Sequence, residues 1–312
     1  MIIHSEYNTK PSALIVCHPK HSLTPSIMNK ISLVEHNFEA IPSPIDLLDE
    51  YDSFIHQIGS FGISTIDIFE LVATEYQNLL SHNPNAMFTR DSSITIPWNQ
   101  SVVIIPRFKL STRENETIIS KSFFASQKSF QILECPYKLE GGDVIPFILE
   151  GKKTLLVGIG QRTERASAKW LYDTLAGNSI DQVVIVEHDK RFLHLDTCLS
   201  ILPNMTVLGA LSAQKTFVII NPSGYRVMEE AFPQYLTNRG YTWIDSGTIG
   251  AIRKEQCNLL PLGNNTFIGF NLDDYIRLEA EKHSGANLIS LPSKAIILAN
   301  GGAHCLTRPI YE

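Results

Sequence analysis

Cys305 closes the run Asn300-Gly301-Gly302-Ala303-His304-Cys305, a setting that none of the other four cysteines shares. Glycines in such a run let the backbone come close to a ligand. A thiol beside a cationic ligand ionises more readily, and the thiolate is the nucleophile. His194, in His194-Leu195-Asp196, offers acid and base chemistry. Glu140, in Glu140-Gly141-Gly142-Asp143, could orient that imidazole and raise its basicity. Asp91, Glu140 and Asp196, gathered in one low-dielectric centre, would be costly without a cation. A guanidinium suits them, because its planar fork meets carboxylates two hydrogen bonds at a time. A divalent metal could also neutralise the carboxylates, but it would prefer oxygen ligands and leave Cys305 without a role. The set points to addition at a guanidinium carbon, which needs a nucleophile, a proton donor for the leaving amine and anions that hold the charge. No metal and no cofactor are expected.

Each residue taken alone has a plainer reading. An isolated cysteine is usually an inert small hydrophobe, and His-x-Asp or Glu-Gly-Gly-Asp is often a surface turn. Cys17, Cys135 and Cys198 lie in apolar strands and read as core. His82, His188 and His283 read as solvated surface, and Asp143 as a carboxylate that fixes its own loop. Cys257 or Asn258 could face the same centre. Gly158-x-Gly160 lacks the third glycine of a nucleotide loop.

What would gather these residues is a supersecondary repeat. Segment 92–106 reads as two short strands around a Trp98-Asn99-Gln100 turn; a helix from Thr112, capped by its side chain, leads to strand 131–135. Strands 143–149 and 154–159, helix 163–176 and strand 182–187 repeat that order. Strand 197–202, a helix near 226–239 and strand 241–244 form a third unit. Strands 257–262 and 266–270, helix 272–284 and strand 287–290 form a fourth. The chain ends supply a fifth: strand 13–17, helix 44–58 with Leu47, Leu48, Tyr51, Phe54, Ile55 and Ile58 at helical spacing, strand 62–68, and strand Ala295–Ala299. Pairing of the last strand with the first would close a ring and remove exposed sheet edges. The expected fold is a pseudo-symmetric α/β propeller of five ββαβ blades, a single catalytic domain over residues 1–312. The polar residues then sit at the blade heads: Thr89-Arg90-Asp91, Glu140-Gly141-Gly142-Asp143, His194-Leu195-Asp196, Gln256-Cys257-Asn258 and His304-Cys305. Equivalent positions would converge on one central pocket.

The bulk composition agrees with a globular chain: 312 residues, 44% hydrophobic and 19% charged. A net charge of −6 argues against nucleic acid or an anionic membrane as partner. No apolar run approaches the roughly 18–20 residues that span a bilayer. Met1-Ile2-Ile3-His4-Ser5-Glu6 has no basic end followed by an apolar stretch, so no secretory leader is expected. The five scattered cysteines suggest reduced thiols and a cytoplasmic location. A homo-oligomer is compatible with the sequence and not specified by it.

Met87-Phe88-Thr89-Arg90-Asp91, Leu139-Glu140-Gly141-Gly142-Asp143, Gly158-Ile159-Gly160-Gln161-Arg162-Thr163, His194-Leu195-Asp196-Thr197 and Gly301-Gly302-Ala303-His304-Cys305-Leu306-Thr307 together resemble arginine deiminase, of the guanidine-modifying amidinotransferase-fold superfamily. Leu23-Thr24-Pro25-Ser26 is similar to that family too, and the likeness runs nearly end to end. The resemblance implies a five-bladed α/β propeller and a covalent amidino-cysteine intermediate that water hydrolyses. It implies Cys305 as nucleophile, His194 and Glu140 as the proton-transfer pair, and Asp91 and Asp196 on the guanidinium. Phe88 falls among the substrate-binding positions, and Asn85, Arg113 and Arg162 match positions that bind the substrate's carboxylate end. Two departures bear on substrate identity: Asn300 stands where the family has a carboxylate-binding arginine, and the loop Lys30–His36 lacks the usual acidic pattern. The helical insertion of longer deiminases, between Leu71 and Asn85, is missing. The expected reaction is conversion of arginine or a close guanidino compound to a ureido product and ammonia. Amidino transfer, ureido hydrolysis on the same site, and a silent arginine-binding protein are the alternatives. Ammonia released without an added acceptor separates hydrolase from transferase, and an adduct trapped on Cys305 excludes the silent binder.

Overall fold

The computed structural model describes residues 5–189, 191–210, 214–247 and 254–311; Met1–His4, read above for a leader, lie outside them. The described residues are mixed α/β and form five sheets. Four share one local plan, in which an antiparallel hairpin is followed by a helix and a strand parallel to the second hairpin strand. A parallel pair cannot be joined by a tight turn, so a crossover helix is the natural connection.

In the first sheet Ile94–Ile96 and Asn99–Arg107 pair antiparallel, and helix Glu114–Ser126 leads to the parallel strand Gln131–Lys138. The second has Val144–Leu149, Lys152–Ile159, helix Arg165–Leu175 and Gln182–His188. The third has Leu199–Leu202, Thr206–Gly209, helix Phe232–Thr237 and Thr242–Asp245. The fourth has Leu260–Gly263, Thr266–Phe270, helix Asp274–Ser284 and Asn287–Leu291. In the fifth, Ala13–Val16 pairs parallel with Ser64–Asp67 after helix Pro44–Ser60, and antiparallel with Arg308–Ile310, so Ala13 faces Ile310 across the ladder.

Local sequence explains these elements. Helix Pro44–Ser60 starts with proline in its first turn, Ser43 accepts from the Asp46 N–H, and Leu47, Tyr51, Phe54 and Ile58 bury one stripe. Each such side chain contributes about 1.5–3 kcal/mol on burial. Val183–Val186 is buried at every position, as a strand with both faces covered should be.

Five expectations need correction. Ala295–Leu298 is a short helix, and Arg308–Ile310 supplies the strand that pairs with Ala13–Val16. The expected helix near 226–239 is shorter, Phe232–Thr237. Ahead of it Gln214–Asn221 and Gly224–Val227 form a hairpin that extends the second sheet beyond Gln182–His188. The turn in the first hairpin falls before Asn99, which already begins the second strand. Thr112 is not the cap: a 3-10 turn, Ser111–Arg113, leads into the helix, whose cap position is Arg113, with no side-chain capping bond to the helix backbone. His188 is buried, with Nε2 3.2 Å from Asp143 Oδ1.

Candidate active site

Short 3-10 turns, Thr89–Ser92, Gly141–Asp143, Leu195–Thr197 and Lys254–Cys257, stand just before the first strands of four sheets. They pack against one another in that succession. The Arg90 N–H donates to the Cys305 carbonyl, and Thr89 Oγ1 donates to the carbonyls of Ile15 and Leu306, which joins the fifth head to the first. Glycines make the close packing work. A Cβ on Gly142 would lie 2.9 Å from Asp91 Oδ1 and from His194 Cγ, and one on Gly302 2.6 Å from Asn258 Oδ1.

Eight of the ten expected site residues line one cavity: Cys305, His194, Asp91, Asn85, Phe88, Arg113, Arg162 and Asn300. Glu140 and Asp196 are fully or almost fully buried beside it, Glu140 against His194 and Asp196 against Cys305. The cavity measures about 10 Å³, room for about one water, and His36, Asn37, Leu193 and Ala299 complete its lining. Asn85 Nδ2 donates to the His36 carbonyl and Asn300 Nδ2 to that of Asn37, so both amides hold the covering loop.

His194 Nε2 lies 2.8 Å from Glu140 Oε2, and Nδ1 is 3.6 Å from Asp91 Oδ1. Burial opposes the imidazolium, yet the Asp91 charge and the Glu140 hydrogen bond overcome it and raise the pKa to about 10. Glu140 Oε1 accepts from the Lys109 N–H at 3.1 Å, with Arg162 Nη1 at 3.5 Å. Its carboxyl is held below the usual range, because the His194 hydrogen bond and charge outweigh burial. Asp91 accepts from Arg113 Nη1 at 2.8 Å and from the Gly142 N–H at 3.1 Å. Burial opposes its charge too, but His194 and Arg113 bring its pKa down to about 2. Arg113 also forks onto both oxygens of Glu116 at 2.7 and 2.6 Å and lies over the Phe108 ring. Burial pushes Glu116 up to about 7 despite that pairing.

Cys305 Sγ is buried, 3.7 Å from Asp196 Oδ2 and 3.1 Å from Asn258 Nδ2. Burial first, then Asp196 and Asp91, raise the thiol pKa well above its ordinary value. An added guanidinium would offset both carboxylates, so the thiolate is favoured only with a cation beside it. Asp196 Oδ2 meets His304 Nδ1 at 2.8 Å, His304 Nε2 meets Glu6 Oε1 at 3.2 Å, and Glu6 accepts from Arg90 Nη1 at 2.6 Å. Glu6 and Glu116 were not singled out from sequence, since lone glutamates outside any motif carry no signal. Asn258 was legible only as an alternative to Cys257, whose thiol instead meets Ser246.

Asp143 serves structure. Its Oδ1 accepts from the Leu195 N–H at 2.8 Å and fixes the turn that carries His194 and Asp196. Among the described residues, Asp91, Glu140 and His194 bring ligand-type atoms within 4.8 Å of one another, as do His21, Asp67 and Glu70. In the first group Arg113 Nη1, 2.8 Å from Asp91 and 3.9 Å from Glu140, already supplies the cation. No helix among the described residues is long and apolar enough to cross a membrane.

Residues 59–312 match the family described as arginine deiminase. Arginine deiminase of Mycobacterium avium is 26% identical over 248 residues, which cover 73% of this chain and 60% of that protein. The chain thus spans about six-tenths of the length of that relative. The uncharacterized protein YkgA of Bacillus subtilis is 23% identical over 312 residues, 100% of this chain and 95% of its own. Among solved structures, the product-bound N-terminal domain of ArgZ, an arginine dihydrolase of the ornithine–ammonia cycle in cyanobacteria, superposes with a TM-score of 0.70. The superposition covers 96% of this chain and 97% of that one at 20% identity, a likeness of fold.

Proposed function

The chain belongs to the arginine deiminase family, and from that premise we propose that it hydrolyses the guanidinium of arginine or a close arginine-like compound, with Cys305 as nucleophile. One observation carries the reading: a buried thiol and a buried imidazole pKa-tuned by carboxylates share a single cavity. In this reading the five sheets are blades of one closed ββαβ propeller forming a single catalytic domain, a view supported by the successive packing of the turns and the Ala13–Ile310 pairing.

A bound guanidinium displaces Arg113 from Asp91 and lies between Asp91 and Asp196. Its charge lets Cys305 release its proton to solvent, and the sulfur adds to the guanidinium carbon. His194, protonated at neutral pH, gives its proton to one amino group, the C–N bond breaks, and ammonia leaves. The amidino group stays on Cys305 as a cation. Neutral His194 takes a proton from water and the hydroxide adds to the same carbon. The C–S bond then breaks, the surplus proton returns to sulfur, and a ureido product departs while the ammonia carries a solvent proton as ammonium. Glu140 keeps His194 charged and oriented. Arg162 and Arg113, once released, hold the substrate's carboxylate end, with Asn85, Phe88 and Asn300 shaping the remainder.

The test is ammonia release from arginine with no acceptor amine, together with mass spectrometry of acid-quenched enzyme. We expect a mass increase on Cys305 and no turnover in Cys305→Ser, a loss of at least about a thousandfold. A Cys305→Ser protein that keeps a tenth of its activity would end the cysteine mechanism.

A further inference from the structure

We propose that Asn258 is a catalytic residue of this reaction, donating a hydrogen bond to the Cys305 sulfur and stabilising it as the thiolate. The proposal rests on the reading of Cys305 as nucleophile.

The orientation of the amide follows from its partners. The Cys305 N–H can only donate, and it meets Asn258 Oδ1 at 3.1 Å. The amino group must then face the other way, where Nδ2 lies 3.1 Å from Cys305 Sγ and 3.2 Å from the Asp196 carbonyl. A flip of the amide would set two donors against each other at the Cys305 N–H and two acceptors at the Asp196 carbonyl, so both of those hydrogen bonds would be lost. Asn258 is buried, which strengthens each bond relative to one in water. Gly302 completes the arrangement, because a Cβ there would fall 2.6 Å from Asn258 Oδ1 and 2.8 Å from its Cβ.

The electrostatics give this bond work to do. Around Sγ the turn Leu195–Thr197 presents the Asp196 carboxylate, and Asp91 adds its charge from the turn Thr89–Ser92. Both oppose a thiolate. His194 faces the same cavity, and the neighbouring His304 is turned to Asp196 Oδ2 and Glu6 rather than to the sulfur. Asn258 is the side chain whose N–H points at Sγ among the described residues. A neutral donor suits that place, since it favours the anion without competing with the substrate's cation for the carboxylates.

The experiment follows iodoacetamide alkylation of the intact protein against pH, with the adduct on Cys305 quantified by mass spectrometry, alongside kcat and KM on arginine. Asn258→Ala should raise the Cys305 thiol pKa by about one to two units, as loss of a hydrogen bond to a charged group implies. Alkylation near pH 8 should slow about tenfold or more, and kcat should fall at least about tenfold while KM changes less. Asn258→Asp has the same shape, which covers the case of an alanine variant that fails to fold. It replaces the donor by an acceptor and should raise the thiol pKa at least as far. Unchanged thiol pKa and kcat in either folded variant overturns the role of Asn258, with Cys305→Ser inactive to show that the nucleophile reading stands. Turnover surviving in Cys305→Ser removes that reading, and this role with it.

Discussion

Replacing Glu140 by glutamine tests the proton-transfer pair more sharply than deleting it would. The acceptor side of the new amide is set in advance: Oε1 receives the Lys109 N–H and faces Arg162 Nη1, so the amide oxygen takes that place. The NH2 group must then face His194 Nε2, now at 2.8 Å from Oε2. Two donors cannot share a hydrogen bond, so the contact survives only if the imidazole is neutral with its lone pair on Nε2. Loss of the charge-assisted bond alone costs roughly 1.5–3 kcal/mol, about one to two pKa units. The donor facing Nε2 then adds a penalty on the charged form. His194 should fall from about 10 to about 8 or lower. Its titration can be followed by NMR of the imidazole Cε1–H, against a His194→Asn spectrum for assignment. The alkaline limb of kcat should therefore move down from about 10 to about 8, and above it, where the charged acid is gone, kcat should fall by up to about a hundred- to ten-thousandfold. Stability shifts in the same direction. A folded pKa of about 10 against an ordinary 6.5 gives stabilisation that is complete below the ordinary value and disappears as pH rises through about 10. In Glu140→Gln the decline of Tm with rising pH should start from the same point, be smaller, and be complete by about pH 8 rather than about 10. A His194 pKa still near 10 in Glu140→Gln would refute the assignment and hand control of the proton to Asp91.

Asn300→Arg should lower KM for arginine about tenfold by adding a charge-assisted bond, with kcat changed less. It should also lower Tm slightly, since φ at 300 is +64° and the tether to the Asn37 carbonyl is lost; an unchanged KM sinks the first half. Exhaustive chelation should leave turnover untouched, and activity restored by zinc, manganese or magnesium after EDTA would convert the site into a metallohydrolase. Gly142→Ala should cost activity well beyond stability, because its Cβ would push on Asp91 Oδ1 and His194 Cγ at 2.9 Å; full kcat there would mean the turns are not tightly registered.

The turns that carry Asp91, Glu140 and His194 were legible because chemistry-bearing residues recur at the same point of a repeat. Hydrophobic spacing alone fixed helix Pro44–Ser60. Ala295–Leu298 misled because five consecutive apolar residues fit a buried strand and a helical turn equally well. Arg308–Ile310 was invisible for the opposite reason: three residues with a central proline carry almost no strand signal, and only the ladder to Ala13–Ile15 makes them one. Hairpin 214–227 falls outside the repeat, although Asn221-Pro222-Ser223-Gly224 is a turn signal in its own right. Arg113 was legible only as a binding position implied by the resemblance, whereas its fork onto Glu116 and its grip on Asp91 emerge with the folded structure.

On the proposed function, that grip makes Arg113 an internal competitor. An incoming guanidinium meets an Asp91 already satisfied by one of its own kind, so observed affinity is the difference between two nearly equivalent ion pairs. Such an exchange discriminates by shape rather than by charge: a simple amine offers Asp91 less than Arg113 does and is turned away. Potency against this site should therefore track how well a ligand's planar fork improves on the resident one, and inhibitors carrying only a positive charge should be weak.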